Sequence, residues 1–490
     1  MPETTELTRA LEDSLVENGS AIAIEDGRER LSYRSLLERA RQVGRQLDGA
    51  GLPPGPRPHV LICASNSASY VASLLGVLMA GAVPFLLDPA LAKAERDNLL
   101  TSCGIDLILD DTGGHAGGTA LNSTRLPRAA GDRPRVLATT EVCRFTSGST
   151  RTPACIEFSG TAVLNAARAW QGGSGLAAGD RVLCFAGLYN GLAFNTSLIP
   201  GLLAGATLWL PRAQPSAGYV ARYLEQARPH VLVGFPALYA GLSRRPGALA
   251  GVAELRAALS SAARLDLVIA ADMRDRHGIP VGDYYGIAEA GPLTINNEPW
   301  IEGQQGRPLA GVTITVADPA DDGPGELLVH STSMGSRYLN HPDLLAQRLT
   351  PDGYYRTGDR GRLVAGRLEL TGRNTAYINV GGKKVSPEHI RQVLLDHPAI
   401  AEAHVLGLSL HSGEDIVAAL VQSELALTED SVRMHCATRL ASHMRPTLVA
   451  VVPRLPRSGS GKVAAAEVVQ LLRHRHAGLK DELIKGEPTQ

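Results

Sequence analysis

Val71-Ala72-Ser73-Leu74-Leu75-Gly76-Val77-Leu78-Met79-Ala80-Gly81-Ala82-Val83-Pro84-Phe85-Leu86-Leu87 is the longest apolar run in the chain. How it is read decides whether the protein is built in a bilayer or in water. A membrane-spanning helix needs roughly 20 consecutive apolar residues. This run is shorter, and Gly81 and Pro84 interrupt it. Its later half, Ala82 to Leu87, suits a buried strand that follows a buried helix, because a short continuous apolar segment bounded by turn residues fits a strand covered on both faces. The same alternation extends outward: a helix over Ser35 to Ala50, a strand over His59 to Ala64, a helix over Ser67 to Ala80, a helix over Lys93 to Ser102 and a strand over Asp106 to Leu109. Strands alternating with helices imply a parallel sheet with helices on both faces.

After a polar connection from Asp110 to Asp132, the alternation resumes through Ala162 to Trp170, Arg181 to Phe185, Ala221 to Ala227 and His230 to Val233, and continues to Tyr284. Short strands and turns dominate Thr313 to Val329. Beyond the basic, glycine-rich stretch that begins at Gly372, about a hundred residues of helix and strand suit a small α+β domain. The expected organisation is α/β: a large N-terminal domain of layered sheets and helices over 1–373, a small mobile C-terminal α+β domain over 374–478, and a charged, frayed tail over 479–490.

The chain has 490 residues, long enough for one large and one small domain. A net charge of −1 leaves no electrostatic footprint for nucleic acid or an anionic membrane, so small molecules or proteins are the expected partners. The six cysteines form no C-x-x-C pair and the fourteen histidines no H-E-x-x-H motif, so neither a disulfide framework nor a zinc site is indicated. With no basic-then-apolar order at the N-terminus, a reducing, cytoplasmic setting is expected.

Arg144-Phe145-Thr146-Ser147-Gly148-Ser149-Thr150-Arg151-Thr152-Pro153 crowds hydroxyls around one glycine. Hydroxyl and backbone N–H donors in such a turn can wrap phosphate oxygens without a lysine. The same composition also makes an ordinary surface loop, and this stretch alone leaves both readings open.

Seven segments together carry a resemblance. They are Leu31 to Leu36, Asn66 to Pro89, Thr146 to Pro153, Tyr284 to Pro292, Tyr355 to Asp359, Arg373 to Pro387 and Leu455 to Val463. In this order and spacing the chain resembles the adenylate-forming superfamily of acyl- and aryl-CoA synthetases, peptide-synthetase adenylation domains and luciferases. The resemblance implies ATP-dependent activation of an acid as its acyl-adenylate, followed by displacement of AMP by a nucleophile, often a pantetheine thiol. Thr146, Ser147, Gly148, Ser149 and Thr150 then match the phosphate loop, and Glu289 the acid that carries Mg²⁺. Ala262, Ala263, Arg264, Tyr285, Gly286, Ile287 and Ala288 fall in nucleotide-binding segments, with Tyr285 stacking on adenine. Asp359 would accept the ribose hydroxyls and Arg373 contact the nucleotide. Lys462 matches the catalytic cation. Gly381 and Gly382 would face the acceptor, either coenzyme A or a carrier protein.

The resemblance also places an acyl pocket among Asn190, Gly191, Asn195, Gly234, Phe235, Ala290 and Gly291. The two asparagines could hydrogen-bond a hydroxyl or amino substituent, which points to a small, polar-substituted acid, aromatic acids included; asparagines also serve as helix caps. Departures cluster on the nucleotide. Arg151 and Cys155 stand where the family has glycines, Ala154 where it has a lysine, and Ala288 where a threonine is usual, the last change also occurring in some aryl-acid-activating relatives. A lysine restored at Ala154 is expected to tighten ATP binding. The alternatives are a non-thiol acceptor (an amine), an unusual oxyanion such as nitrite, and a nucleotide-binding homologue without turnover.

Overall fold

Val71 to Leu87 forms a helix and then a strand. Ser67 opens the helix Ala68–Met79 as N-cap, its hydroxyl accepting from the Tyr70 backbone N–H at 3.1 Å. All its residues but Met79 are buried, as expected for a helix apolar all round. Gly76 makes this packing possible, since a Cβ there would lie 2.6 Å from the Ala40 carbonyl on the neighbouring helix Tyr33–Gly49. The chain then enters the strand Val83–Leu86, buried throughout. This computed structural model describes residues 5–49, 57–91, 93–111, 121–126, 133–145, 154–211, 216–261, 265–297, 301, 304–317, 323–373, 378–380, 383–385, 387–410, 415–440, 442–457, 463–475 and 484–488.

Val83–Leu86 belongs to a seven-stranded sheet in the order Arg337–Tyr338, Cys155–Ser159, Thr140–Phe145, Val83–Leu86, His59–Cys63, Leu107–Asp110, Asn122–Arg125. Its central strands are parallel, and its outer pairs are antiparallel. A second seven-stranded sheet runs Val281–Asp283, Ala257–Ser260, Val231–Gly234, Arg181–Cys184, Thr207–Trp209, Ile22–Glu25, Arg30–Ser32, and is parallel up to its last pair. Side chains alternate across both sheets with the strand period of two. Val182, Cys184, Val231, Val233 and Leu259 enter one core with Val60, Ile62, Val142, Ile156 and Phe158 of the first sheet, while Leu183, Leu232, Ala258 and Val281 enter a separate core behind. Helices Glu6–Glu17, Tyr33–Gly49, Ala68–Met79 and Gly160–Ser174 contribute to the shared core.

Asn66 adds a polar bolt to that apolar contact. Its amide Nδ2 donates to the Ala186 carbonyl at 2.7 Å and its Oδ1 accepts from Leu188 N–H at 2.8 Å. It thereby joins the loops that leave His59–Cys63 and Arg181–Cys184 at their carboxyl ends. A smaller sheet follows, in the order Val312–Ala317, Gly325–Ser331, Tyr355–Val364, Arg367–Arg373.

Two compact units emerge: Met1–Thr357 with Gly361–Leu370, and Gly358–Arg360 with Thr371–Gln490. Within the second, Leu448–Val452, Asp415–Gln422, Glu402–Leu410 and Ile484–Pro488 form a four-stranded sheet. Helix Pro387–Leu395 and helix Glu429–Ala437 share one core with it, and helix Ala465–Arg475 supplies a second. Two expectations differ from this. The segment read as a frayed tail contains the edge strand Ile484–Pro488, antiparallel to Glu402–Leu410, and the polar connection before Asp132 contains Asn122–Arg125, paired with Leu107–Asp110. Edge strands need backbone pairing on one side only and carry a weak apolar signal, and all four residues of Asn122–Arg125 are exposed. Among the described residues no helix is long and apolar enough to cross a membrane.

His59 lies within the first sheet, with its Nδ1–H donating to the Cys103 carbonyl at 2.8 Å and its ring 4.8 Å from Phe85. Burial, reinforced by Arg133, lowers its pKa from 6.5 to about 4. The neutral ring is therefore the folded form, and only the unfolded chain binds the proton between pH 6.5 and 4. Stability should fall by about 3 kcal/mol as pH drops through that window, with no contribution above it. Urea titrations at stepped pH check this, and His59→Asn should flatten that part of the profile.

Candidate active site

Gly286–Ile287 and Gly291–Pro292 pair antiparallel as a small hairpin. Its turn is closed by Ala290 N–H donating to the Ile287 carbonyl at 3.3 Å, and Gly291 follows at φ +69°. The left-handed glycine closes the loop 288–291, and the loop puts Glu289 at the tip. The Glu289 backbone carbonyl accepts from Gly335 N–H at 2.7 Å, and its Oε1 accepts from the Tyr338 hydroxyl at 2.6 Å. Tyr355 lies within reach of the charge of this carboxylate. Burial, followed by the charge of Glu289, raises the pKa of both phenols, so both stay donors across the neutral range. Tyr338 is itself held in place. Its strand pairs with Cys155–Ser159, and Arg337 Nε donates to the fully buried Glu157 at 2.6 Å.

A second wall comes from Asn190 to Leu198. Asn190 caps the short helix Gly191–Ala193, its Oδ1 accepting from Leu192 N–H at 3.0 Å. That contact uses the oxygen which the sequence offered to a substrate. The helix widens into a π-turn over Phe194–Leu198, a feature frequent at functional sites, before Ile199–Ala204. Asn195 is buried in the π-turn. A Cβ on Gly291 would lie 3.2 Å from its Nδ2, and one on Gly191 would lie 3.9 Å from it. Gly191, Asn195 and Gly291 therefore lie close together, and Ala290 is buried. Gly234 ends its strand in register with Ser260, and Phe235 packs against the shared core. Tyr285 is buried, its N–H donating to Thr294 Oγ1 at 3.2 Å; Gly286 and Ile287 are half-buried and Ala288 is exposed.

Asp359 is buried on the strand Tyr355–Val364, directly after Gly358. Arg373 ends Arg367–Arg373, and its side chain lies outside the described residues, as do Thr146 to Thr150, Ala262 to Arg264, Gly381, Gly382 and Lys462. Ala154 is only 6 % exposed within the shared core, so a lysine there must displace apolar packing. The expectation that Ala154→Lys would simply tighten ATP binding is revised accordingly. Cys155 is fully buried in a cluster with Cys103 and Cys143.

Three residues near the site were given no role by the sequence. Tyr338, the partner of Glu289, carries no local signal, and Tyr355 opens a motif segment that does not announce its place beside Glu289. Arg144, read as the head of the hydroxyl-rich stretch, lies inside a buried strand. Its guanidinium carbon lies 4.2 Å from the Phe158 ring centroid and 5.0 Å from that of Phe194. Burial lowers its pKa to about 10, against the favourable pull of Glu289.

The family model for the AMP-binding enzyme matches residues 11–339, and that for the AMP-binding enzyme C-terminal domain matches 389–462. The chain belongs to this family of AMP-binding enzymes, within the adenylate-forming superfamily that its motifs resemble. It is 28% identical to a feruloyl-CoA synthase from Amycolatopsis sp over 477 residues, covering 91% of this chain and 95% of that one. It is also 28% identical to an anthranilate–CoA ligase from Pseudomonas aeruginosa, with 91% of each covered. Among solved structures, ATP-bound MatB from Rhodopseudomonas palustris superposes with a TM-score of 0.78 at 22% identity, over 96% of this chain and 98% of that one, and confirms the fold.

The Tyr338–Glu289 contact is a charge-assisted hydrogen bond between residues far apart in sequence. A double-mutant cycle of Tyr338→Phe and Glu289→Gln, read by chemical denaturation, should give a coupling energy of about 1.5–3 kcal/mol. Additive effects would show that the contact contributes nothing.

Proposed function

We propose that the chain is an ATP-dependent acid ligase that forms an acyl-adenylate from a small carboxylic acid and passes the acyl group to a thiol, coenzyme A or a carrier pantetheine. The observation that carries this reading is Glu289, held at a hairpin tip by Tyr338 and set among the converging Gly191, Asn195 and Gly291. Relatives matched nearly end to end are named for feruloyl-CoA and anthranilate–CoA formation, which supports a CoA acceptor and an aromatic acid.

In the first half-reaction an oxygen of the acid attacks the α-phosphorus of ATP, the bond to pyrophosphate breaks, and acyl-AMP forms. In the second, the thiolate attacks the acyl carbon and AMP leaves. Such chemistry is accelerated chiefly by positioning and by charge stabilisation. Lys462 is assigned the cation that neutralises charge at the carboxylate and α-phosphate. Thr146 to Thr150 hold the terminal phosphates, Asp359 and Arg373 the nucleoside, and Tyr285 the adenine. Ala262 to Arg264 and Gly286 to Ala288 complete the nucleotide site, and Gly381 and Gly382 leave the thiol arm room.

Mg²⁺ fits Glu289. Among the described residues no three metal-ligating side chains gather, and Mg²⁺ is commonly held by one or two carboxylates, with phosphates and water completing the shell. Bound there, it supplies positive charge to the triphosphate. Tyr338 and Gly335 fix the orientation of Glu289 towards it.

AMP and pyrophosphate release measured over a panel of acids, with CoA and amines as acceptors, tests the reading. Acid-dependent AMP formation is expected, and Lys462→Ala should reduce it by roughly 10²-fold or more through loss of a transition-state charge contact. Absence of AMP with every acid would instead mark a nucleotide-binding homologue without turnover.

A further inference from the structure

Among the described residues Arg144 is a buried cation with no ion pair. It lies on Thr140–Phe145, where alternation sends Cys143 and Phe145 to an outer core and Val142 and Arg144 to the core shared by the two large sheets. It is 4 % exposed. Other buried or half-buried arginines have evident partners: Arg337 meets Glu157, Arg133 meets Asp106, and Arg57 donates to backbone carbonyls. Arg144 has the rings of Phe158 and Phe194, which attract the cation but do not satisfy its five N–H donors. Among the described residues its Nε has no hydrogen-bond partner. Glu289 acts on it through charge, with no ion pair or hydrogen bond between them, and Glu289 Oε1 already accepts from Tyr338.

The direction of the side chain gives this orphan a purpose. Its Nη1 reaches the wall segment of the pocket so closely that a Cβ on Gly191 would lie 2.8 Å away, with Asn195 Nδ2 beside the same point. A planar guanidinium presents a fork of donors matched to a planar oxyanion. An acid whose only carboxylate is directed at the α-phosphate leaves the buried Nε without an acceptor, and an unsatisfied buried donor on a charged group is costly.

We propose that Arg144, with Asn195 beside it, receives a second carboxylate-like anion inside the acid pocket. The proposal rests on the ligase reading above and narrows its substrate class. Two sources supply such an anion: a second carboxylate on the acid itself, or a small free oxyanion held next to a monoacid. Gly191 is the glycine that leaves the guanidinium room, and Phe158 and Phe194 fix its plane.

The test uses the full chain and ATP–pyrophosphate exchange. Phthalate is compared with phthalamate, succinate with succinamate, and benzoate with and without nitrite. The expected result is a preference for a dicarboxylate over its half-amide of roughly 10²-fold in kcat/KM, abolished by Arg144→Met and partly kept by Arg144→Lys. Gly191→Ala, which crowds Nη1, should erode the same ratio. Saturable stimulation of benzoate exchange by nitrite, lost in Arg144→Met and absent when nitrite is supplied without benzoate, would assign the free anion as the source. Exchange that discriminates none of these pairs, or a variant that slows diacid and half-amide alike, overturns the proposal while leaving the ligase reading intact. Lack of exchange with every acid counts against the ligase reading. Thermal melts answer in either case: without ligand Arg144→Met should melt higher than wild type, because an unpaired buried charge has been replaced by an apolar side chain, and phthalate should raise the melting point of wild type alone. A variant that melts lower and a wild type indifferent to phthalate and nitrite would make Arg144 a structural residue.

Discussion

The bidentate contact of Asn66 with Ala186 and Leu188 fixes the geometry on which the candidate site depends. Apolar packing between two sheets is strong but has no preferred direction. A buried amide satisfied on both its donor and acceptor sides has a direction, and it aligns the carboxyl ends of His59–Cys63 and Arg181–Cys184. Open α/β sheets bind ligands beyond those ends. Arg144, Gly234, Ser260 and Tyr285 all lie at or just past the ends of their strands, so the alignment that closes the core also gathers the chemistry.

Within that frame the site combines two kinds of polar group. Glu289 is oriented in advance, with its backbone held by Gly335 and its carboxylate by Tyr338, so little reorganisation remains when charge arrives. Arg144 is the opposite case, desolvated and held by aromatic faces, with its Nε unsatisfied among the described residues. A fold that carries such a group gives up stability at one position in exchange for discrimination between ligands.

Much of this was legible from the residues alone. Val71 to Leu87 separated into helix and strand because Gly81 and Pro84 break the run, and the long helices followed from apolar periodicity. The glycines around Asn195 were marked by the family's motif order. Less was legible where the determining contact is distant in sequence or the burial signal is weak. Tyr338 meets Glu289 across 49 residues with no motif to announce it. Asn122–Arg125 and Ile484–Pro488 are edge strands with little apolar pattern. Asn190 shows the ambiguity of its residue type, since the amide that suits a substrate hydroxyl also suits a helix N-terminus, and here its oxygen is used by Leu192 N–H. Arg144 stood at the head of the hydroxyl-rich stretch with no role of its own, and only the packing around it shows that its charge is buried.

The π-turn over Phe194–Leu198 sets an angular phase. Each α-helical residue advances about 100° around the axis, and the wider turn absorbs one extra residue. It therefore fixes the rotation of Gly191 and its neighbours relative to the helix Ile199–Ala204 anchored in the core. Removing one residue there would re-aim the whole wall while leaving every side chain chemically unchanged. In this scaffold the aim of Gly191 and its neighbours is encoded by chain length as well as by residue identity.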